Sequence, residues 1–116
     1  MNSHSYNINE VRVMATKFPN EDTLFKMRDM LSIVSDITRL KIMFTLLDEE
    51  NSEKCVSEIV DETGASQSLV SHQLKTLKDF DLVSVRRDGK KVYYSLKDDH
   101  VRQLISVALE HAMEEE

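Results

Sequence analysis

One cysteine, one proline, two glycines and no tryptophan occur among the 116 residues, and each scarcity narrows the choice of protein. The lone Cys55 cannot form a disulfide within the chain and points to a reducing, cytoplasmic setting. So few glycines and prolines leave little room for a loop-rich β fold, which makes a mainly α-helical domain the expectation. No apolar run approaches the roughly 20 residues of a membrane span. The first residues, MNSHSYNINE, have neither the basic start nor the apolar stretch of a secretory signal. No membrane partner is expected, and the length suits one compact domain rather than two.

Positive charge is also scarce: the formal net charge is −6. Its distribution matters more than its sum. From Ser66 to Lys97 seven basic residues (Lys75, Lys78, Arg86, Arg87, Lys90, Lys91, Lys97) face three acidic ones, whereas six acidic residues from Asp98 onward meet only Arg102. One basic segment therefore precedes an acidic tail, as expected of a protein that touches phosphates with a single face.

Apolar spacing then orders the chain into three parts of one domain. Residues 1–19 are a polar arm and a first helix over Asn9–Lys17, with Val11, Met14, Ala15 and Phe18 at helical spacing until Pro19 stops it. Residues 20–97 are the core. Asn20 caps a helix to about Ser35 with Leu24, Met27, Leu31 and Val34 on one face, and Asp36 caps the next. Ile37, Leu40, Ile42, Met43, Phe44, Leu46 and Leu47 place that next helix at the centre of the core, and DEENSEK is a solvated loop. Val56–Glu62 is a short helix with Val56, Ile59 and Val60 inward. Thr63-Gly64-Ala65 turns the chain, and Ser66 caps a helix to about Asp79 with Leu69, Val70, Leu74 and Leu77 inward. Leu82–Val85 and Val92–Leu96 alternate like strands joined by Arg-Arg-Asp-Gly-Lys-Lys, a hairpin signal. The fold class expected is mainly α with a β-hairpin wing, a winged helix–turn–helix. Residues 98–116 form a last helix from about Asp99 to Glu114.

The outward face of the helix after Ser66 carries Ser66, Gln67, Ser68, Ser71, His72, Lys75 and Lys78. Short hydroxyls, an amide and an imidazole in the first turns can reach base edges in the major groove, and its free N–H groups suit a phosphate. Arg86, Arg87, Lys90 and Lys91 on the hairpin suit flanking phosphates or a minor groove. A polar face could simply meet solvent; the basic hairpin beside it favours double-stranded DNA. Such a module reads two half-sites as a homodimer, with the terminal helices as the candidate interface.

The last helix has a stripe of His100, Leu104, Val107, His111 and Glu114 at spacings of four and three, with Asp98 just before it. Two imidazoles and two carboxylates suit tetrahedral zinc. The two histidines stand about 16 Å apart along one helix, while zinc–ligand bonds are about 2 Å. One helix cannot bring both to one ion. An antiparallel pairing across a two-fold axis would join Asp98 and His100 of one chain to His111 and Glu114 of the other, twice. The alternative, seam or surface side chains without metal, stays open on spacing alone.

The segments SDITRLKIMFTLL, CVSEIV, SQSLVSHQLKTLKDFDLVSVRRDGKKVYYSL and DDHVRQLISVALEHAMEE resemble the ArsR/SmtB family of metal-responsive repressors, its zinc-sensing SmtB branch most closely, from about Leu31 onward. The resemblance implies a dimer that holds a palindromic operator without metal and releases it when Zn2+ binds Asp98, His100, His111 and Glu114. It also implies that His111 uses its second ring nitrogen to reach the backbone near His72. One departure is clear. Thiolate-dependent relatives carry Cys-Val-Cys where this chain has Cys55-Val56-Ser57, so a soft site is not expected; Cys55 is expected as a small, partly buried residue rather than a ligand, and His4 adds only weak support for a site there. A DNA-binding regulator blind to metal and a protein-binding winged module remain alternatives. Catalysis is not expected, since no nucleophile–base pair or Gly-rich phosphate loop is visible.

Overall fold

The computed structural model describes Asn7, Ile8 and residues 18–114. The helix expected over Asn9–Lys17 and His4 lie outside the described residues. Those described form α1 (Glu21–Val34), α2 (Ile37–Thr45), α3 (Val56–Thr63), α4 (Gln67–Asp79), β1 (Val83–Asp88), β2 (Lys91–Leu96) and α5 (Asp99–Met113).

Local chemistry starts each long helix. The side chains of Asn20, Asp36, Ser66 and Asp98 accept from the backbone N–H three residues on, at 2.8, 3.0, 3.2 and 3.0 Å, so each satisfies a donor that the first helical turn leaves open. α3 ends at Gly64, whose φ of 73° lets its N–H reach Val60 O; a side chain would resist that left-handed backbone. The α3–turn–α4 unit follows. β1 and β2 then pair antiparallel from Val83↔Leu96 to Asp88↔Lys91. Of the two residues between them only Gly89 has a positive φ (62°), the pattern of a II′ turn with glycine first. Arg86, Arg87 and Lys91, expected in the connection, therefore belong to the strands.

Ile42, Met43, Leu46, Ile59, Val70, Leu74 and Leu77 are sealed from solvent, with Leu82, Val83, Leu96, Val101 and Ile105 around them. The core thus sits where α2, α3 and α4 meet, closed by the hairpin base and the first half of α5. Several residues expected inward point out. Ile37 and Phe44 are exposed because a nine-residue helix cannot bury its whole circumference, and Leu69 lies on the outward flank of α4. Along α1 only Val34 is buried, while Leu24, Met27 and Leu31 stay exposed within this single chain. Between α1, α2 and α5 runs an apolar groove of about 720 Å³ that includes Leu31, Phe44, Leu104 and Ala108.

The DEENSEK segment needs a correction. Its end is not solvated: Lys54 is 2% exposed. Lys54 Nζ donates to Thr45 O at 2.7 Å and lies 2.8 Å from the Glu62 carboxylate, with Asp48 at 3.7 Å. It thus satisfies a carbonyl left open at the end of α2, where the helix dipole favours a cation. Its backbone also exchanges hydrogen bonds with Tyr94 of β2 at 2.8 and 2.9 Å. One residue so ties α2, α3 and the wing together. Arg102 does similar work for α5, donating to Leu46 O and Leu47 O at 3.2 and 3.0 Å. Among the described residues, no helix is long and apolar enough to cross a membrane.

Candidate nucleic-acid interface and metal half-sites

The capped start of α4 holds Ser66, Gln67, Ser68, Ser71 and His72 exposed on one side of the helix whose other side, through Val70, Leu74 and Leu77, is locked into the core. A rigid inner face fixes the direction of the outer one. Ser66 Oγ is 3.4 Å from Ser68 Oγ. Lys75 is exposed and pairs with Asp79 at 2.9 Å, so a phosphate reaching Lys75 would displace an internal carboxylate in a weak, solvated pair.

Arg87, Lys90 and Lys91 are exposed on the hairpin. Lys78, Arg87 and Lys97 line a cleft between the end of α4 and the wing, opposed there by Asp81, whose nearest cation is Lys97 at 3.5 Å. Arg86 differs from its neighbours. Its Nε reaches both oxygens of Glu53, at 3.1 and 2.9 Å, and its guanidinium lies 4.7 Å from the ring centre of Tyr93. The Glu53 hydrogen bond, chiefly, holds its pKa above the ordinary arginine value. Arg86 is thus a brace between the α2–α3 loop and the wing as well as a candidate phosphate ligand. Glu53→Gln should release it: the operator affinity of that variant should fall more steeply with salt, its log–log slope more negative by about 0.9, the value of one added phosphate contact. An unchanged slope in anisotropy titrations would leave Arg86 as a brace only.

Gln73 carries no signal of its role in the sequence. It sits on α4 next to His72, and its Oε1 accepts from Arg39 Nη1 at 2.7 Å, while Arg39 Nε donates to Ile33 O at 2.6 Å. No local signal could expose a contact between residues 34 positions apart.

The metal candidates fall into two pairs at opposite ends of α5. Asp98 uses one oxygen to cap the helix, which leaves Oδ2 facing His100 Nδ1 at 3.8 Å. One turn from the other end, His111 Nδ1 is 3.6 Å from Glu114 Oε2, both side chains well exposed. Two ligands on a tetrahedral zinc with bonds of about 2 Å stand about 3.3 Å apart, so each pair is within a few tenths of an ångström of a chelating half. The described residues of one chain bring neither pair to the other, and no group of three metal-binding side chains occurs among them. No hydrogen bond joins His111 to His72 among the described residues; the His72 carbonyl accepts from Thr76 Oγ1 at 3.3 Å.

Cys55 is partly buried at the start of α3. Its N–H and thiol both donate to Glu58 Oε1, at 3.1 and 3.2 Å, and these bonds hold the Glu58 carboxyl below its ordinary pKa. The local role of Cys55 is therefore to start a helix. Because the folded value is depressed, this bracing is present above the ordinary carboxylate range and lost as pH falls through the lowered one.

Residues 36–85 match the bacterial regulatory protein, arsR family. The chain is 35% identical over 107 residues to a transcriptional repressor SmtB homolog of Synechocystis sp., covering 92% of this chain and 79% of that protein. It is 41% identical over 81 residues to a cadmium resistance transcriptional regulatory protein CadC homolog of Staphylococcus aureus, a match over 70% of this chain and 65% of that one. Among solved structures it is similar to the homodimeric winged helix-turn-helix DNA-binding domain of a possible ArsR-family transcriptional regulator from Mycobacterium bovis. There the TM-score is 0.72 at 26% identity, over 79% of this chain and 82% of that one.

Proposed function

This chain belongs to the ArsR/SmtB family of transcriptional regulators, and from that premise we propose that it is a cytoplasmic, zinc-responsive repressor that binds a palindromic operator as a homodimer. Ser66, Gln67, Ser68, Ser71 and His72 read base edges, Lys75, Arg87, Lys90 and Lys91 hold phosphates, and Arg86 joins them when Glu53 yields. The observation that carries the metal part is the pair of half-sites on α5, each near chelating distance and each short of a full ligand set. Two copies of α5 running antiparallel complete both sets at once, Asp98 and His100 from one protomer with His111 and Glu114 from the other. The exposed apolar residues Leu24, Met27 and Leu31 of α1 and Val107 of α5 supply the surface for such a pairing. A zinc ion held by these four side chains would tie the two protomers together, and the α5 helices so joined would set a dimer shape whose α4 helices no longer fit successive grooves. All four side chains are then used, and the metal keeps no open position for chemistry.

Fluorescence anisotropy of the protein on DNA from upstream of its own gene, with and without zinc, tests this reading. Tight, salt-sensitive binding that zinc weakens is expected. Zinc-independent binding would leave a regulator blind to metal, and the absence of salt-dependent DNA binding would remove the DNA role itself.

A further inference from the structure

We propose that Arg39 is a positioning residue for operator reading, acting through Gln73 to set the placement of α4; the inference rests on the DNA-binding role proposed above. Arg39 opens α2, and its side chain runs away from its own helix to two others. Nε donates at 2.6 Å to Ile33 O in the last turn of α1, and Nη1 donates at 2.7 Å to Gln73 Oε1 in the middle of α4. Its backbone N–H is itself fixed by the Asp36 cap at 3.0 Å. The Ile33 carbonyl is one of those a helix end leaves open, so a cation there satisfies a polar group and favours the helix dipole. With that end anchored, the planar guanidinium has a fixed direction in which to present its other donors.

Gln73 is the receiving end. It is half-buried between exposed His72 and sealed Leu74, on the flank of α4 that separates the base-reading face from the core face. Apolar packing at Val70, Leu74 and Leu77 sets which face of α4 turns outward, but, being non-directional, it leaves small rotations about the helix axis less costly than a directional bond would. A charge-assisted hydrogen bond on the flank is directional and fixes that rotation. A rotation of one residue position turns a helix by about 100°, so a small slip would already move Ser68, Ser71 and His72 off the bases they address. Lysine cannot replace arginine here: one ammonium at the end of a flexible stem does not present two fixed, diverging N–H directions.

The test compares Arg39→Met, Gln73→Ala and the double variant of the full chain on operator and on scrambled duplex DNA, across a salt series. A strut predicts that each single variant loses about tenfold in operator affinity, that scrambled-DNA binding stays unchanged, and that the double variant loses no more than either single. The salt slope should stay that of wild type. Additive losses of about a hundredfold in the double variant would mean two independent contacts and would overturn the strut. A salt slope less negative by about 0.9 in Arg39→Met would instead make Arg39 a phosphate ligand. Should Arg39→Met fail to fold by circular dichroism, Gln73→Ala and Arg39→Lys carry the comparison, with wild-type affinity in Gln73→Ala overturning the proposal. Wild-type protein that binds neither duplex would sink the DNA role, whereas variants equal to wild type on the operator sink the strut alone.

Discussion

Replacing His111 with alanine is expected to abolish the effect of zinc on operator affinity while leaving metal-free affinity within about twofold of wild type. His111 stands in the last turn of α5, and its Nδ1 lies 3.6 Å from Glu114 Oε2. On the proposed assembly its loss would take one ligand from each of two symmetric sites and leave the side chains of α4 and the wing in place. In the wild type the coupling between metal and DNA should fall within the usual range for such linkage, about 5- to 150-fold. Reciprocity gives a second reading of the same quantity: saturating operator should weaken zinc binding by the same factor in wild type and not in His111→Ala. The zinc effect should also fade as pH falls, because the proton and the metal compete for the same imidazole nitrogens. Zinc that still released His111→Ala from DNA would place the sensing site elsewhere.

The second large effect is on stability. Leu74→Ala is expected to cost about 2–5 kcal/mol, the range for deleting a sealed core leucine, out of the 5–15 kcal/mol typical of a domain. Leu74 is fully buried on the inner face of α4, among Val70 and Leu77 and against the residues of α2 and α3. Leu69→Ala, five residues earlier on the same helix, should cost only about 0.5 kcal/mol, since its side chain is already 39% exposed. Urea unfolding of the two variants reads the difference directly. Equal losses would mean that Leu69 is covered in the folded protein, as it would be if the dimer interface reached it.

What the sequence disclosed follows the range of each interaction. Asn20, Asp36 and Ser66 were legible as caps because a cap is decided within three residues, and Gly64 because only a special backbone needs it. Helix faces were half legible. The spacing of Val70, Leu74 and Leu77 picks out one stripe, but Ile37, Phe44 and Leu69 show that an apolar residue beside that stripe turns inward or outward according to which neighbours arrive. Lys54 was hidden for the same reason: nothing in DEENSEK announces that Thr45 will leave a carbonyl open within reach. Arg86 was legible as a basic residue of the wing, yet its engagement by Glu53 depends on a loop 33 positions away. Each candidate pair is local, and so the spacing of Asp98 with His100 and of His111 with Glu114 could be read from the chain; the joining of the pairs, which the proposal assigns to a second copy, is not a property of one chain.

The sealed position of Lys54 has one more consequence, for chemical reactivity. An amine held at 3% side-chain exposure between a carbonyl and a carboxylate is out of reach of an acylating reagent until the junction of α2, α3 and the wing comes apart. The lysines of the wing and of α4 are exposed and should be labelled at once, so that Lys54 becomes a clock among them. Its rate of modification, followed by peptide mass spectrometry, measures how often that junction opens. A slower clock in the presence of operator would mean that gripping DNA also holds the wing to the body of the protein.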